Sequence, residues 1–77
     1  MKINYDPEVD ALYIEFRDVL AVKNIDIEEG VTVDLDKDNH IVGIEILDAR
    51  ERLKESLSHL EFSEIPWKGA KLVSKSK

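Results

Sequence analysis

The side chains in this sequence that are best suited to chemistry are carboxylates, and four of them have the spacing of a calcium loop. In the stretch DLDKDNHIVGIE, Asp34, Asp36 and Asp38 occupy the first, third and fifth places, and Glu45 occupies the twelfth. These are acidic positions of an EF-hand loop, whose last glutamate binds the ion through both of its oxygens. The sixth place holds Asn39, however, where the sharp turn of that loop requires glycine.

The residues around these acids predict a β-hairpin instead. An EF-hand needs a helix on each side of its loop, whereas the apolar residues here alternate with polar ones, which is typical of half-buried strands. If Val33 pairs with Ile44 and Leu35 with Val42, the apolar residues of both strands share one face. The tip then has two residues, or four if its last pair stays open.

In that register the acids do not surround one ion. Asp34 lies opposite Gly43 and Glu45 lies opposite Thr32, so Glu45 sits one pleat further along the sheet than Asp34. We therefore predict a solvated hairpin without a metal site and without a cofactor. The candidates that remain for loose ion binding are Asp34, Asp36 and Asp38.

No other group of side chains predicts an enzyme. Asp6, Glu8 and Asp10 cluster at a turn, and capping that turn is the simplest role of Asp6 and Asp10. Paired carboxylates act as acid and base when burial raises the pKa of one of them, and carboxylates at a turn stay in water. His40 and His59 are the only histidines, and nothing orders either of them with a serine nucleophile. We predict no catalytic residue.

Length and composition set further bounds. The chain has 77 residues, which suffice for one small domain, and no cysteine, which excludes disulfides, thiolate catalysis and cysteine-bound zinc. No segment approaches the roughly 20 apolar residues of a membrane span, and the first residues lack the apolar run of a signal peptide. We therefore expect a cytoplasmic protein without a membrane partner.

The charge is divided unevenly along the chain. The net charge is −6, but residues 66–77 carry four lysines and no acid, and residues 1–65 hold all 17 acids against 7 bases. A surface that binds nucleic acid needs a basic face that displaces counterions. The acidic body therefore argues against direct binding of nucleic acid.

Alternating apolar residues predict about five antiparallel strands, and a helical pattern follows them. The turn DPEVD joins the first two strands. The third strand carries Ile25 and Ile27 as its inward residues, and Gly30 suits the positive φ of a three-residue hairpin loop. After the sheet, Asp48 is expected to cap a helix, with Glu51 completing a capping box. The apolar stripe of that helix comprises Ala49, Leu53, Leu57 and Leu60.

The predicted fold class is α+β, an antiparallel β-meander of about five strands with one C-terminal helix packed on one face. We assign residues 1–60 to this single domain and residues 61–77 to a C-terminal extension that is partly ordered or contacts a partner. Pro66 and Gly69 exclude a regular helix in the extension. Trp67, the single tryptophan, is a candidate for partner contact, because tryptophan is enriched at interface hot spots.

Two stretches of the sequence carry a family resemblance. YDPEVDALYIEF and EEGVTVDLDKDNHIVGIEILDA resemble the motifs of DUF2283, a family of small bacterial and archaeal proteins, over roughly residues 1–50. The resemblance implies a small β-sheet domain with a C-terminal helix and with no established activity. Some members look like partners of small toxin-like proteins, which implies an antitoxin-like role. The matching positions are Tyr5, Asp6, Asp10, Ala11, Leu12, Tyr13, Ile14, Gly30, Val31, Asp34, Asp36, Val42, Gly43, Ile44, Glu45, Ile46, Leu47, Asp48 and Ala49.

The leading hypothesis is a non-enzymatic protein–protein interaction domain that acts as an antitoxin-like partner of a basic toxin. Its acidic body would attract such a partner and speed association. The alternative is a module that binds a small ligand or a cation on the acidic hairpin face. A homodimer is also expected, since a small sheet has unpaired edges. The candidate interaction residues are Tyr13, Asp34, Asp36, Glu45 and Trp67.

Overall fold

One five-stranded antiparallel sheet and a short helical segment make up residues 1–63, the part of the chain that the computed structural model describes. The predicted α+β class, with its five strands and C-terminal helix, is confirmed. Among the described residues, no helix has the length and apolar character to cross a membrane. The prediction for Trp67 lies outside the described residues. The elements are β1 (Lys2–Asp6), β2 (Ala11–Glu15), β3 (Lys23–Glu28), β4 (Val31–Leu35), β5 (Ile41–Leu47), helix α1 (Ala49–Leu53) and a 3₁₀ turn (Lys54–Ser58).

The strands do not stand in the sheet in the order of the sequence. Their order is β1-β2-β5-β4-β3, and every neighbouring pair is antiparallel. The hairpin β1–β2 and the meander β3–β4–β5 are each continuous along the chain, and the pairing of β2 with β5 joins them. The segment between β2 and β3 therefore runs from β2 to the far edge of the sheet.

The register confirms that the apolar residues share one face of the sheet. Val33 lies opposite Ile44, and Val31 lies opposite Ile46, as the alternation predicts. Cross-strand pairs of β-branched side chains stabilise a sheet. One such line of side chains, which we call the apolar row, crosses all five strands through Ile3, Ile14, Ile44, Val33 and Ile25.

The predicted pairing of Leu35 with Val42 is wrong, because the ladder between β4 and β5 shifts by one residue near the tip. Leu35 pairs with Ile41 instead. An extra residue in one strand of a pair is a β-bulge, and it locally bends the strand. Val42 remains well covered despite the shift, at 2% exposed.

The shift follows from the length of the hairpin tip. The amide of Asp36 donates to the carbonyl of His40, 2.9 Å away, so the tip has three residues rather than two or four. Asn39, the last of the three, has a φ of 68°. A residue in this left-handed conformation is typical of three-residue hairpin loops, which carry a bulge beside them.

A second bulge interrupts β3. The ladder shifts between Asp26 and Glu28, so Ile27 has no partner on β4 and is 62% exposed. The prediction that Ile27 faces inward is therefore wrong. Gly30 has a φ of 87°, as predicted, but its turn has two residues rather than three, because Glu28 pairs with Val31.

The helical segment is shorter than its apolar stripe predicts. Helix α1 ends at Leu53, Lys54 has a φ of 53°, and a single 3₁₀ turn follows. Ala49 is completely buried, whereas Leu60 is 64% exposed. The prediction that Asp48 caps the helix is wrong, because its backbone is left-handed and its side chain makes no cap hydrogen bond.

The apolar interior of residues 1–63 is small. Ile3 and Ile25, at the two edges of the apolar row, are 39% and 51% exposed. The row is therefore open at both edges of the sheet. The buried apolar side chains of the described residues are Leu12, Leu35, Val42 and Ala49.

Candidate functional site

The face of the sheet opposite the apolar row carries four carboxylates in two lines of residues. Against them stands one base in the same lines, Lys2. The predicted candidates Tyr13, Asp34 and Glu45 therefore share one face, which we call the acidic face. By register its two lines are Lys2, Glu15, Gly43, Asp34 and Asn24, and then Asn4, Tyr13, Glu45, Thr32 and Asp26.

Tyr13 on β2 reaches across β5 and donates a hydrogen bond to Asp34 on β4. The hydroxyl of Tyr13 lies 2.9 Å from Oδ2 of Asp34. Gly43 is the β5 residue that lies opposite Asp34. A Cβ on Gly43 would lie 2.6 Å from Cζ of Tyr13 and 2.7 Å from the carbonyl oxygen of Ile14. Glycine is needed at this position because the tyrosine ring occupies the space of a side chain.

The surroundings of Tyr13 keep its hydroxyl protonated. Burial of the ring and then the hydrogen bond to Asp34 raise the pKa of Tyr13 from 10.0 to about 12. The nearby charges of Asp34, Glu15 and Glu45 act in the same direction, because each disfavours a second negative charge. Tyr13 is therefore a neutral hydrogen-bond donor at physiological pH.

Asp36 closes the hairpin tip and pairs with an arginine. Its Oδ2 lies 2.8 Å from Nη2 of Arg17, and its Oδ1 accepts the amides of Asp38 and His40, each at 2.9 Å. Arg17 also donates to the carbonyl of Ile41 at 2.8 Å. The hydrogen bond from Arg17 and then that from the His40 amide lower the pKa of Asp36 from 3.8 to about 2.

These hydrogen bonds give the three ion-binding candidates separate roles. Asp34 accepts from Tyr13, Asp36 accepts from Arg17, and Asp38 is exposed at the tip. Within residues 1–63, no group of three or more histidine, aspartate or glutamate side chains is arranged to hold a metal ion. The spacing that resembles a calcium loop therefore corresponds to two strands and a turn.

Asp10 joins the β1–β2 turn to the helix. Its Oδ1 accepts the Tyr5 hydroxyl at 2.7 Å and the amide of Arg50 at 3.0 Å, and its carbonyl accepts the amide of Ala49 at 3.0 Å. Asp10 thus provides the cap that the sequence predicted for Asp48. The hydrogen bond from Tyr5 is the main cause that lowers the pKa of Asp10, and it raises the pKa of Tyr5 itself.

A family model matches the part of the chain that contains these contacts. Residues 2–50 match the family described as a protein of unknown function, DUF2283. The chain belongs to DUF2283. No curated protein and no solved structure matches the chain. The resemblance inferred from the two sequence motifs is therefore confirmed, and the match spans all five strands and the start of the helix.

The motif residues of this DUF2283 chain hold its elements together. Tyr5 and Asp10 fix the first hairpin to the helix, and Tyr13 and Asp34 join β2 to β4 across Gly43. The motif thus contains the donors, the acceptors and the glycine that these long-range contacts require. Its acids and tyrosines have a structural role in addition to any role in binding.

Arg52, which sequence reasoning missed, clamps the helix to the β3–β4 turn. Its guanidinium donates to the carbonyl of Leu47 at 2.8 Å, to the carboxylate of Glu28 at 2.9 Å and to the carbonyl of Glu29. A Cβ on Gly30 would overlap that guanidinium. The sequence gives little indication of this contact. Simple alternation along β3 would place Glu28 on the same face as Asp26, and only the bulge moves it to the side of the helix.

An open groove of about 430 Å³ borders the acidic face at its β1 edge. Its lining residues include the aromatic residue Tyr13 and two acidic residues, Asp6 and Glu45. Aromatic faces and carboxylates both attract cations. The groove therefore has the chemistry to accept a basic side chain or a small cation. Its other lining residues are Asn4, Tyr5, Pro7, Val9 and Ala11.

Proposed function

We propose that this chain is a non-enzymatic interaction domain whose acidic face binds a basic protein. The observation that supports the proposal is the concentration of carboxylates on one face of the sheet. The acidic face carries four carboxylates against Lys2, whereas the apolar row carries no charge. A surface of one sign steers a partner of the opposite sign and speeds its association.

We infer that the partner is a basic toxin-like protein, such as a ribonuclease-type toxin, and that the chain acts as its antitoxin. A protein that binds RNA needs a basic surface to neutralise phosphates. An acidic face complements the same surface, so it would compete with RNA for the toxin. The family resemblance to partners of toxin-like proteins motivates this more specific role.

Co-purification tests the antitoxin role directly. A basic protein encoded beside this chain should bind it in a pull-down at low salt, and the complex should weaken as salt screens the charges. Toxin activity should fall when the chain is added in equimolar amount. If no neighbour-encoded protein binds at low salt, the antitoxin role is wrong.

Charge reversal tests whether the acidic face is the binding surface. Asp26→Lys and Glu45→Lys reverse two exposed acids of that face, and we expect the association rate to fall at least about tenfold. The matched control is Glu51→Lys, which makes the same change of charge on the exposed side of α1. Equal losses in all three variants would show that net charge, rather than this face, controls binding.

The groove favours a second candidate function, the binding of a small cationic ligand. Tyr13, Asp6 and Glu45 are among the residues that line the open groove where such a ligand would bind. A thermal-shift screen of amines and metal cations, with calorimetry for calcium, tests this function. Stabilisation by one compound that Glu45→Gln abolishes would favour the ligand module over the protein-binding domain.

A further inference from the structure

The apolar row is an uncharged surface that residues 1–63 leave partly open. Ile3 and Ile25 are its most exposed described members, at 39% and 51%. Buried side chains lie on both sides of the row. Leu12 and Ala49 are buried on the side of the helix, and Leu35 is buried on the side of the hairpin tip. Along the row itself, Ile3 and Ile25 at the two edges are exposed, and the three central members are half-buried.

A sheet with one open apolar face lacks the second layer from which small domains are built. A stable domain packs the apolar face of a sheet against another sheet or against helices. Here the ten-residue helical segment, Ala49–Leu53 with Lys54–Ser58, is bonded to the β1–β2 and β3–β4 turns at one end of the sheet. Covering the row would remove apolar surface from water, which is favourable in proportion to the area buried.

We propose that a second copy of this chain covers the row, with the two sheets packed face to face. The charge distribution supports this occupant. Each chain has a net charge of −6, but the carboxylates of the sheet stand mainly on the face opposite the row. Two chains that meet through their rows therefore bring uncharged surfaces together while the acidic faces remain in solvent.

The row is also suited to contact with itself. A two-fold dimer uses the same patch on both subunits, so the patch must complement itself. The row has isoleucine at both edges of the sheet and β-branched residues at all five positions. A two-fold axis along the row would place each side chain near its own copy and would set the two helices at opposite ends. Aligned sheets pack about 10 Å apart with interdigitated side chains.

The size of the face places the dimer among the small interfaces, which are typical of weak complexes. Five strands spaced about 4.8 Å apart give a face about 20 Å wide. Specific interfaces at the small end bury about 600 Å² on each partner, which requires contact from one edge of this sheet to the other. We therefore expect a weak dimer, with a dissociation constant on the order of 10–100 µM.

Sedimentation of the full-length chain tests this dimer. The measurement covers concentrations on both sides of the expected dissociation constant, and the sedimentation coefficient should rise from monomer to dimer. Ile25→Lys places a charge at the edge of the row and should weaken the dimer at least tenfold. Asn24→Lys, on the same strand but on the acidic face, makes the same addition of charge and should leave the dimer intact.

A second variant on the row and a fluorescence measurement keep the test decisive. Ile3→Lys, at the other edge of the row, should weaken the dimer like Ile25→Lys, and circular dichroism checks that both variants fold. A chain that stays monomeric at every concentration overturns the proposal. If that monomer also shows a change in Trp67 emission with Ile25→Lys, the chain covers its own row. Equal dimerisation of Ile25→Lys and the wild type also overturns the proposal.

Discussion

The two faces of the sheet differ in how far the described residues bond to, or cover, the side chains on them. On the acidic face, polar groups bond to one another across strands, as Tyr13 does to Asp34 over Gly43. On the apolar face, Ile3 and Ile25 remain 39% and 51% exposed. In this small sheet, polar contacts between distant strands therefore fix the geometry, while part of the apolar surface of the described residues stays exposed.

The largest effect expected from this difference concerns Gly43. Gly43→Ala places a Cβ where the ring of Tyr13 and the carbonyl of Ile14 already lie, so the sheet must shift to accept it. We expect a loss of about 2–3 kcal/mol in the free energy of unfolding, as for overpacked interiors. Urea denaturation, read by circular dichroism, measures the change.

The control for Gly43 is Asn24→Ala, which changes an exposed residue in the same line of the acidic face. It should alter the free energy of unfolding by about 0.5 kcal/mol or less. A Gly43→Ala variant as stable as this control would mean that the ring of Tyr13 does not lie over β5.

A smaller effect is expected at the junction between sheet and helix. Asp10→Ala removes the acceptor for the Tyr5 hydroxyl and for the Arg50 amide, and alanine tolerates the left-handed backbone at φ 57° poorly. We expect the melting temperature to fall by about 5–10 °C. Asp10→Asn keeps an oxygen acceptor, and asparagine tolerates the left-handed backbone. Its melting temperature should therefore fall less than that of Asp10→Ala.

Asp48→Asn is the control for the assignment of the helix cap. The side chain of Asp48 makes no cap hydrogen bond, and asparagine also tolerates its left-handed backbone. We expect its melting temperature to stay within about 2 °C of the wild type. A fall in melting temperature as large as that of Asp10→Ala would mean that Asp48, rather than Asp10, caps the helix.

The contrast between Asp10 and Asp48 shows what the sequence predicts about this fold and what it does not. Local patterns predict the five strands, the pairing of Val33 with Ile44 and the positive φ of Gly30, because each depends on neighbouring residues. The helix cap comes from a residue about 40 positions away along the chain. A rule that searches beside the helix finds Asp48 and cannot find Asp10.

In the candidate site, too, local patterns predict the placement of residues but not their contacts with distant strands. Alternation places Tyr13, Asp34 and Glu45 on one face, and the structure confirms that placement. The hydrogen bond from Tyr13 to Asp34 was not predicted, because it depends on β5 lying between β2 and β4. Strand order depends on the packing of the whole sheet. The alternation of residues along one strand therefore does not reveal which strands are its neighbours.

Tyr13→Phe tests the hydrogen bond on the acidic face through the pH dependence of the free energy of unfolding. The pKa of Tyr13 in the folded chain, about 12, lies above its ordinary 10.0, so the folded state holds this proton more tightly than the unfolded state. Its contribution to stability is complete below about pH 10 and is lost as the pH rises toward 12. Tyr13→Phe should cost about 1 kcal/mol at neutral pH and should flatten this alkaline decline.

Tyr5→Phe is the matched control for the alkaline measurement. The pKa of Tyr5 is also raised, mainly by its hydrogen bond to Asp10, so removal of Tyr5 should flatten a different share of the decline. Denaturation midpoints at intervals from pH 8 to pH 12 separate the two shares. An unchanged alkaline decline in Tyr13→Phe would contradict the hydrogen bond from Tyr13 to Asp34.

The smallest effect is expected on the apolar face. In the monomeric chain, at low concentration, Ile25→Thr keeps the β-branched shape and changes a side chain that is 51% exposed. It should cost about 0.5 kcal/mol or less. Val42→Thr on the same face places a hydroxyl at a position that is 2% exposed and should cost about 2 kcal/mol. If the two monomeric variants lost the same free energy of unfolding, the row would already be covered within one chain. The two faces would then not differ in how much of their surface is exposed.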